Sequence, residues 1–176
     1  VYNSGGYDSV ESLKRIDEYI SIYLPDMKWK SEYLSKRYSG RSDYFDVAAK
    51  AIAFMANKPL LFEEPTADET PRADGVKKML SGLIVRHMVM PMGVTDTLAI
   101  LKWFKNELPD TAYLSLMSQY TPFYKAAEHG IGRRITTYEY HRVVNYAMDK
   151  GLVQGYMQQK SSAKEEYTPS FDLTGV

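Results

Sequence analysis

The feature that most constrains the fold is the alternation of short apolar segments with stretches of helical periodicity. Residues 82–91, GLIVRHMVMP, form the most strongly apolar segment, and residues 20–25 and 111–117 are nearly as continuous. Such runs are typical of strands that are covered on both faces. Strands that alternate with helices form parallel sheets through right-handed crossovers. The sequence therefore predicts an α/β fold, a parallel sheet with helices.

The segments between these strands carry helix signals. Thr136 and Glu139 have the spacing of a capping box, a pattern that marks the start of a helix. Asp8 and Glu11 are close to the same spacing. Gly151 is expected to end the last helix in the left-handed conformation. The helices are predicted at residues 9–18, 30–38, 43–56 and 136–149, and in GVTDTLAILKWFKNEL with its cap near Thr95 or Asp96.

The chain is predicted to be a single unit, residues 1–176, cut from a longer protein. It opens on Val1 in what resembles the end of a strand running into a Gly-Gly turn, so its first strand is expected to be truncated. The four predicted strands would form about half of a TIM-like barrel. Residues 57–81, rich in Pro and acidic residues, are predicted to be a surface insertion, for which a hairpin is one form, and residues 151–176 an extended C-terminal tail.

Charge and composition exclude several classes of protein. Lys+Arg and Asp+Glu are 22 each, so bulk attraction to nucleic acid or to anionic membranes is not expected. The chain has no Cys, which excludes disulfides and Cys-held metal clusters within these residues. No apolar run approaches a transmembrane length, and the N-terminus lacks the features of a signal peptide. A cytoplasmic location is the default expectation.

Polar side chains stand where the predicted strands end. Asp26 and Lys28 follow the strand at 20–25, and other polar residues follow the remaining strands. Because working residues lie at the C-terminal ends of parallel strands, these groups are expected to converge on one rim. Side chains two apart on a strand point the same way. The alternative is a solvated ion pair, which contributes about 0–1 kcal/mol.

The same residues carry a resemblance to a known family. YNSGGYDS, PDMK, GLIVRHMVMPMG, LMSQYTP and the tail SSAKEEYTPSFDLTGV resemble, in order and spacing, the radical S-adenosylmethionine (SAM) proteins related to pyruvate formate-lyase activating enzyme. The resemblance implies a partial parallel (βα)6 barrel, of which this chain would be the C-terminal half. It also implies two cofactors, SAM and a [4Fe–4S] cluster. The CxxxCxxC cysteines that hold the cluster are expected upstream of Val1, so this chain alone is predicted to be inactive.

The resemblance assigns roles residue by residue. Asn3 and Ser4 stand where activating enzymes have an Asp-Thr pair that helps hold the amino-acid end of SAM and a monovalent cation. Asn3 offers a carbonyl oxygen there but no charge. Asp26 and Lys28 match an Asp-x-Lys pair, in which the ammonium meets the SAM carboxylate and the carboxylate meets the SAM amino group or the cation.

Three further residues belong to the predicted SAM site. Arg86 matches the Arg of the strand motif and is expected to point towards the barrel interior or the substrate side. Gln119 and Tyr120 replace a Tyr-His pair, which implies a different substrate or a different SAM contact. No catalytic residue and no metal ligand is predicted within this chain, and His87, His129 and His141 lack metal-site spacing.

The leading interpretation is a radical SAM oxidoreductase as the parent protein, with a glycyl radical enzyme as its protein substrate. The alternative is a non-catalytic binding or scaffold module derived from a barrel. A hydrolase is disfavoured because the strand ends offer neither a carboxylate pair nor a Ser-His-Asp set. Because a half barrel leaves an open sheet edge, the isolated chain is expected to self-associate or to pair that edge with its tail.

Overall fold

The computed structural model describes residues 1–64, 77–152 and 155–157. It contains a largely parallel sheet flanked by helices, which confirms the predicted α/β class. The strands are β1 (Tyr2–Ser4), β2 (Ile22–Pro25), β3 (Leu61–Phe62), β4 (Met79–Met88), β5 (Tyr113–Met117) and β6 (Gly155–Met157). The helices are α1 (Val10–Ile16), α2 (Glu32–Ser39), α3 (Tyr44–Met55), α4 (Val94–Glu107) and α5 (Thr137–Asp149), with 3₁₀ turns at Asp17–Tyr19 and Tyr124–Ala126.

The strands of the parallel sheet stand side by side in chain order, β1-β2-β4-β5-β6. Each neighbouring pair along this path is parallel, as the alternation of strands and helices predicts. β3 lies off this path and pairs antiparallel with the first residues of β4. Each later strand of this path is therefore added to the same side of the sheet as the one before it.

Two short strands lie in the predicted insertion and in the predicted tail. The predicted insertion, 57–81, contributes β3 and the start of β4, while residues 65–76 lie outside the described residues. The predicted tail, 151–176, contributes β6, which pairs with β5. Residues 153–154 and 158–176 lie outside the described residues.

The two faces of the sheet differ in burial. On one face, five apolar side chains of β2, β4 and β5 are at most 2% exposed and share a single apolar core with residues of α1, α3, α4 and α5. The opposite face is only partly covered in the described part of the chain. The buried face carries Tyr23, Leu83, Val85, Leu114 and Leu116, and the partly covered face carries Ile22, Leu24, Ile84, Met88 and Met117.

The ends of α1 and α5 can be compared with the capping residues that the sequence predicts. At α5 the capping box is confirmed, because the Thr136 hydroxyl accepts from the Glu139 amide and the Glu139 carboxylate accepts from the Thr136 amide. At α1 the predicted cap was wrong. Ser9 caps this helix, while Asp8 accepts the hydroxyl groups of two residues of β1. Gly151 has φ 69°, the predicted left-handed conformation.

Candidate functional site

Three strands bring one polar cluster together at their C-terminal ends. Arg86 of β4 donates from Nε to Asp26 Oδ1 at 2.9 Å, and its Nη2 lies 2.7 Å from the same oxygen. The Nη2 group also donates to Asn3 Oδ1 of β1 at 2.7 Å. Lys28 completes the set, and we call Asn3, Asp26, Lys28 and Arg86 the rim cluster. Asn3, Asp26 and Lys28 are among the strand-end residues expected to converge, and Arg86, which the resemblance assigns to the site, joins them.

The ion pairing within the rim cluster differs from the simple Asp26–Lys28 pair that the sequence suggests. Lys28 Nζ lies 4.0 Å from Asp26 Oδ2, beyond hydrogen-bond distance. The side chains of Asp26 and Arg86 are each 25% exposed, whereas that of Lys28 is 48% exposed. Asp26 is therefore held mainly by Arg86, and the ammonium of Lys28 projects towards solvent.

A buried tyrosine fixes the backbone beneath the cluster. Tyr44 is 3% exposed, and its hydroxyl oxygen lies 2.8 Å from both Gly5 O and Asp26 O. The same oxygen accepts from the Lys28 amide at 3.0 Å. Burial raises the pKa of the Tyr44 phenol, which keeps its proton available for donation. One side chain thus joins the ends of β1 and β2, which carry three of the four cluster residues.

The turn after β1 passes very close to the end of β2. Gly6 has φ 78°, and a Cβ built at this position would lie 2.2 Å from Asp26 O. No side chain fits at that distance, and an L-residue would also be strained at that φ. Gly6 is therefore required for the close approach of the two strand ends.

His87 lies next to Arg86 but on the opposite, buried face of β4, as strand alternation requires. Its Nδ1 lies 2.6 Å from Met27 O, which can only accept, so Nδ1 carries the proton and donates. Its Nε2 then accepts from the Thr97 hydroxyl at 2.8 Å. Burial lowers the pKa of the imidazole, which keeps it neutral. His87 thereby holds the backbone between Asp26 and Lys28.

The loop that follows Lys28 is tied to helix α4. The Asp96 carboxylate, in the first turn of α4, accepts from the amides of Lys30 at 2.9 Å and Ser31 at 2.7 Å. Ser31 in turn caps α2 through its side chain. Sequence reasoning did not identify Tyr44, His87 or Asp96 as supports of the site. Each acts on backbone atoms far along the chain, and no local pattern marks such a contact.

The structure does not bring the other predicted site residues into the rim cluster. The Ser4 hydroxyl donates to Asp8 Oδ2 at 2.6 Å, away from Asn3. Gln119 and Tyr120 follow β5, and the Tyr120 hydroxyl donates to Ile131 O at 2.9 Å. Among the described residues, neither side chain bonds to the rim cluster. Their roles in SAM binding stay predictions.

A groove lies beside the cluster, between the loops that follow β2, β4 and β5. It has a volume of about 280 Å³. Its walls include Trp29, Tyr38 and Met90, and the Trp29 and Tyr38 rings lie 5.1 Å apart. Arg37 on its edge donates to the Tyr33 hydroxyl. The groove offers aromatic surface and one guanidinium group to a ligand.

Two kinds of feature are absent from the described residues, 1–64, 77–152 and 155–157. In these ranges no group of three or more His, Asp or Glu side chains is placed to hold a metal ion. No helix in the described part of the chain is long and apolar enough to cross a membrane.

Comparison with known proteins gives one relationship. The chain is 28% identical over 148 residues to an uncharacterized protein of Methanocaldococcus jannaschii, an alignment that covers 84% of this chain and 37% of the relative. The chain thus spans little more than a third of the length of that relative. No family model matches the chain. No solved structure matches it.

Proposed function

We propose that this chain is the C-terminal part of a radical SAM enzyme of the activating-enzyme type, in which the rim cluster binds the amino-acid end of SAM. One observation carries the proposal. Asn3, Asp26 and Arg86, from three different strands, meet in one hydrogen-bonded set with Lys28 beside them. These are four of the seven residues that the resemblance assigns to SAM.

The charges of the rim cluster suit an amino-acid group. The half-exposed Lys28 ammonium is available to the SAM carboxylate. Both contacts between Arg86 and Asp26 are made to Oδ1 of the carboxylate. The other oxygen, Oδ2, lies 4.0 Å from Lys28 Nζ. Oδ2 would accept from the α-ammonium group of SAM. Such charge-assisted hydrogen bonds are roughly twice as strong as neutral ones.

The arrangement of the sheet supports a barrel. Doubly wound sheets reverse their strand order and carry helices on both faces. Here the parallel strands follow chain order, and the helices that form the apolar core with the sheet pack on one face. Strand order of this kind is what an arc of a barrel would have, and it supports the proposal. We therefore propose that the chain forms about half of a partial (βα)6 barrel, with Arg86 on its inner face.

A [4Fe–4S] cluster would supply the electron for reductive cleavage of SAM. The 176 residues contain no Cys, so they do not provide its ligands. Under this proposal the ligands lie in another part of the whole protein, and the isolated chain is inactive. The Methanocaldococcus jannaschii relative, much longer than the aligned segment, is compatible with such an additional part.

The proposal includes a partner and a location. The partner is a protein substrate, a glycyl radical enzyme whose glycine loses a hydrogen atom, and the location is the cytoplasm. Neither nucleic acid nor membrane is a proposed partner, in line with the balanced charge. The partly covered sheet face would drive self-association of the isolated chain.

The test is anaerobic reconstitution of the full-length protein with iron and sulfide, followed by measurement of 5′-deoxyadenosine in the presence of SAM and reductant. Asp26→Ala and Lys28→Ala should each lower product formation by at least about tenfold, the worth of one charge-assisted hydrogen bond. Lys105→Ala and Asp110→Ala remove a surface ion pair at the other end of the sheet and serve as matched controls. Equal activity of the cluster variants and the controls would refute the site.

A second candidate function, a non-catalytic binding module, is favoured by the aromatic groove. Clefts lined by aromatic groups with a few polar residues are typical ligand sites. This alternative predicts that the reconstituted full-length protein makes no 5′-deoxyadenosine. It also predicts a ligand that changes the fluorescence of Trp29, an effect that Arg37→Ala should weaken.

A further inference from the structure

The Arg86 guanidinium lies between two side-chain oxygens that come from different strands. It contacts Asp26 Oδ1 through Nε and Nη2, and Asn3 Oδ1 through Nη2. The main chain of Arg86 is also fixed, because its carbonyl accepts from the Met27 amide at 2.8 Å. Three short side-chain contacts and this backbone bond hold the guanidinium in place.

These two oxygens come from the residues that the resemblance places beside a monovalent cation, and the residues present do not fit such an ion. Hard cations need several oxygen ligands. Here Asn3 Oδ1 and Asp26 Oδ1 are both occupied by the guanidinium. The rim cluster also holds a single carboxylate against two cationic groups, Lys28 and Arg86. Its net charge repels a further cation.

We infer that the rim cluster has no site for this cation, because Asn3 carries no charge and the Arg86 guanidinium takes both oxygens, so that the cluster functions without potassium or sodium ions. An arginine stays protonated throughout the accessible pH range, and therefore its charge is permanent. The guanidinium supplies the positive charge that orients Asp26 and leaves the net charge of the cluster suited to a carboxylate. This inference rests on the proposed SAM site but predicts a property that is measurable without SAM.

The test compares thermal unfolding of the full-length protein in potassium chloride and in tetramethylammonium chloride at equal ionic strength. Tetramethylammonium is too large to enter an oxygen site. The wild type should unfold at the same temperature in both salts. Arg86→Gln frees both oxygens and removes one positive charge, so potassium should stabilise this variant. At about ten times its dissociation constant, potassium would shift the unfolding equilibrium about tenfold.

Lys28→Gln is the matched control. It removes the same charge from the cluster but leaves Arg86 on both oxygens, so potassium should not stabilise it. Selective stabilisation of the wild type by potassium would overturn the inference, and so would an Arg86→Gln protein that potassium leaves unchanged. If Arg86→Gln does not fold, the wild-type comparison still decides the question.

A SAM measurement separates this inference from the proposed function. The wild type should form 5′-deoxyadenosine at rates within about twofold in the two salts, because no cation is displaced. A rate that falls severalfold in tetramethylammonium would overturn the inference while supporting the SAM site. Absence of product in both salts would refute the proposed function, and the unfolding data would still test the role of Arg86.

Discussion

Removal of the Tyr44 hydroxyl is the sharpest test of how the site is held. In Tyr44→Phe the buried ring remains, while the Gly5 and Asp26 carbonyls and the Lys28 amide lose their shared partner. A buried polar group left without a partner costs about 1–3 kcal/mol. For a protein of this size, that cost corresponds to a fall in Tm of about 2–10 °C.

The assay is urea unfolding followed by circular dichroism, with Tyr19→Phe as the control. Tyr19 is 77% exposed, and its variant should change the free energy of unfolding by less than about 0.5 kcal/mol. If the proposed function holds, the SAM affinity of the full-length protein gives a second readout. Because Tyr44 positions both strand ends, its variant should lose affinity even at temperatures where it is fully folded. Wild-type stability of Tyr44→Phe would refute the role assigned to this hydroxyl.

The remaining predictions concern burial and backbone strain. Gly6→Ala should cost several times more than Gly40→Ala in urea unfolding, because both glycines have positive φ but an added Cβ would clash with the Asp26 carbonyl oxygen at Gly6 and meet nothing at Gly40. Leu116→Ala on the buried sheet face should cost about 2–5 kcal/mol, and Met117→Ala on the other face less than half as much. Burial lowers the pKa of His87, so the unfolded state binds more protons below its usual value of 6.5. The free energy of unfolding should therefore fall as pH drops below about 6.5, with a shallower slope in His87→Gln. An unchanged slope would contradict the neutral, buried imidazole.

The parallel sheet and its helices were predictable because their signals are local. Continuous apolar runs mark β2, β4 and β5, and the capping box at Thr136 marks the start of α5. β3 and β6 were not predictable in this way. They are only two and three residues long, and pairing with a neighbouring strand defines them.

The rim cluster was predictable only in part. The C-terminal ends of parallel strands meet at one edge, so the approach of Asn3 to Asp26 follows from topology. Arg86 was assigned by the resemblance, and Gln119 and Tyr120, which were expected at the same edge, do not bond to the cluster in the described residues. The preference of Asp26 for Arg86 over Lys28 depends on register and side-chain reach across 60 residues of chain. The role of Tyr44 was not predictable either, because its partners are backbone atoms far along the chain. In the sequence alone, a tyrosine in an amphipathic helix is interpreted as a core residue.

The order of the strands has a consequence for how the chain is made. Because β1, β2, β4, β5 and β6 stand in the sheet in the order of synthesis, each new strand docks against a neighbour that has already left the ribosome. No parallel strand has to wait for a later one to be inserted between it and its predecessor. Such an arrangement keeps loop closures short and favours folding unit by unit during translation. At each stage, the edge left open by the last strand made would be covered by the next strand to emerge.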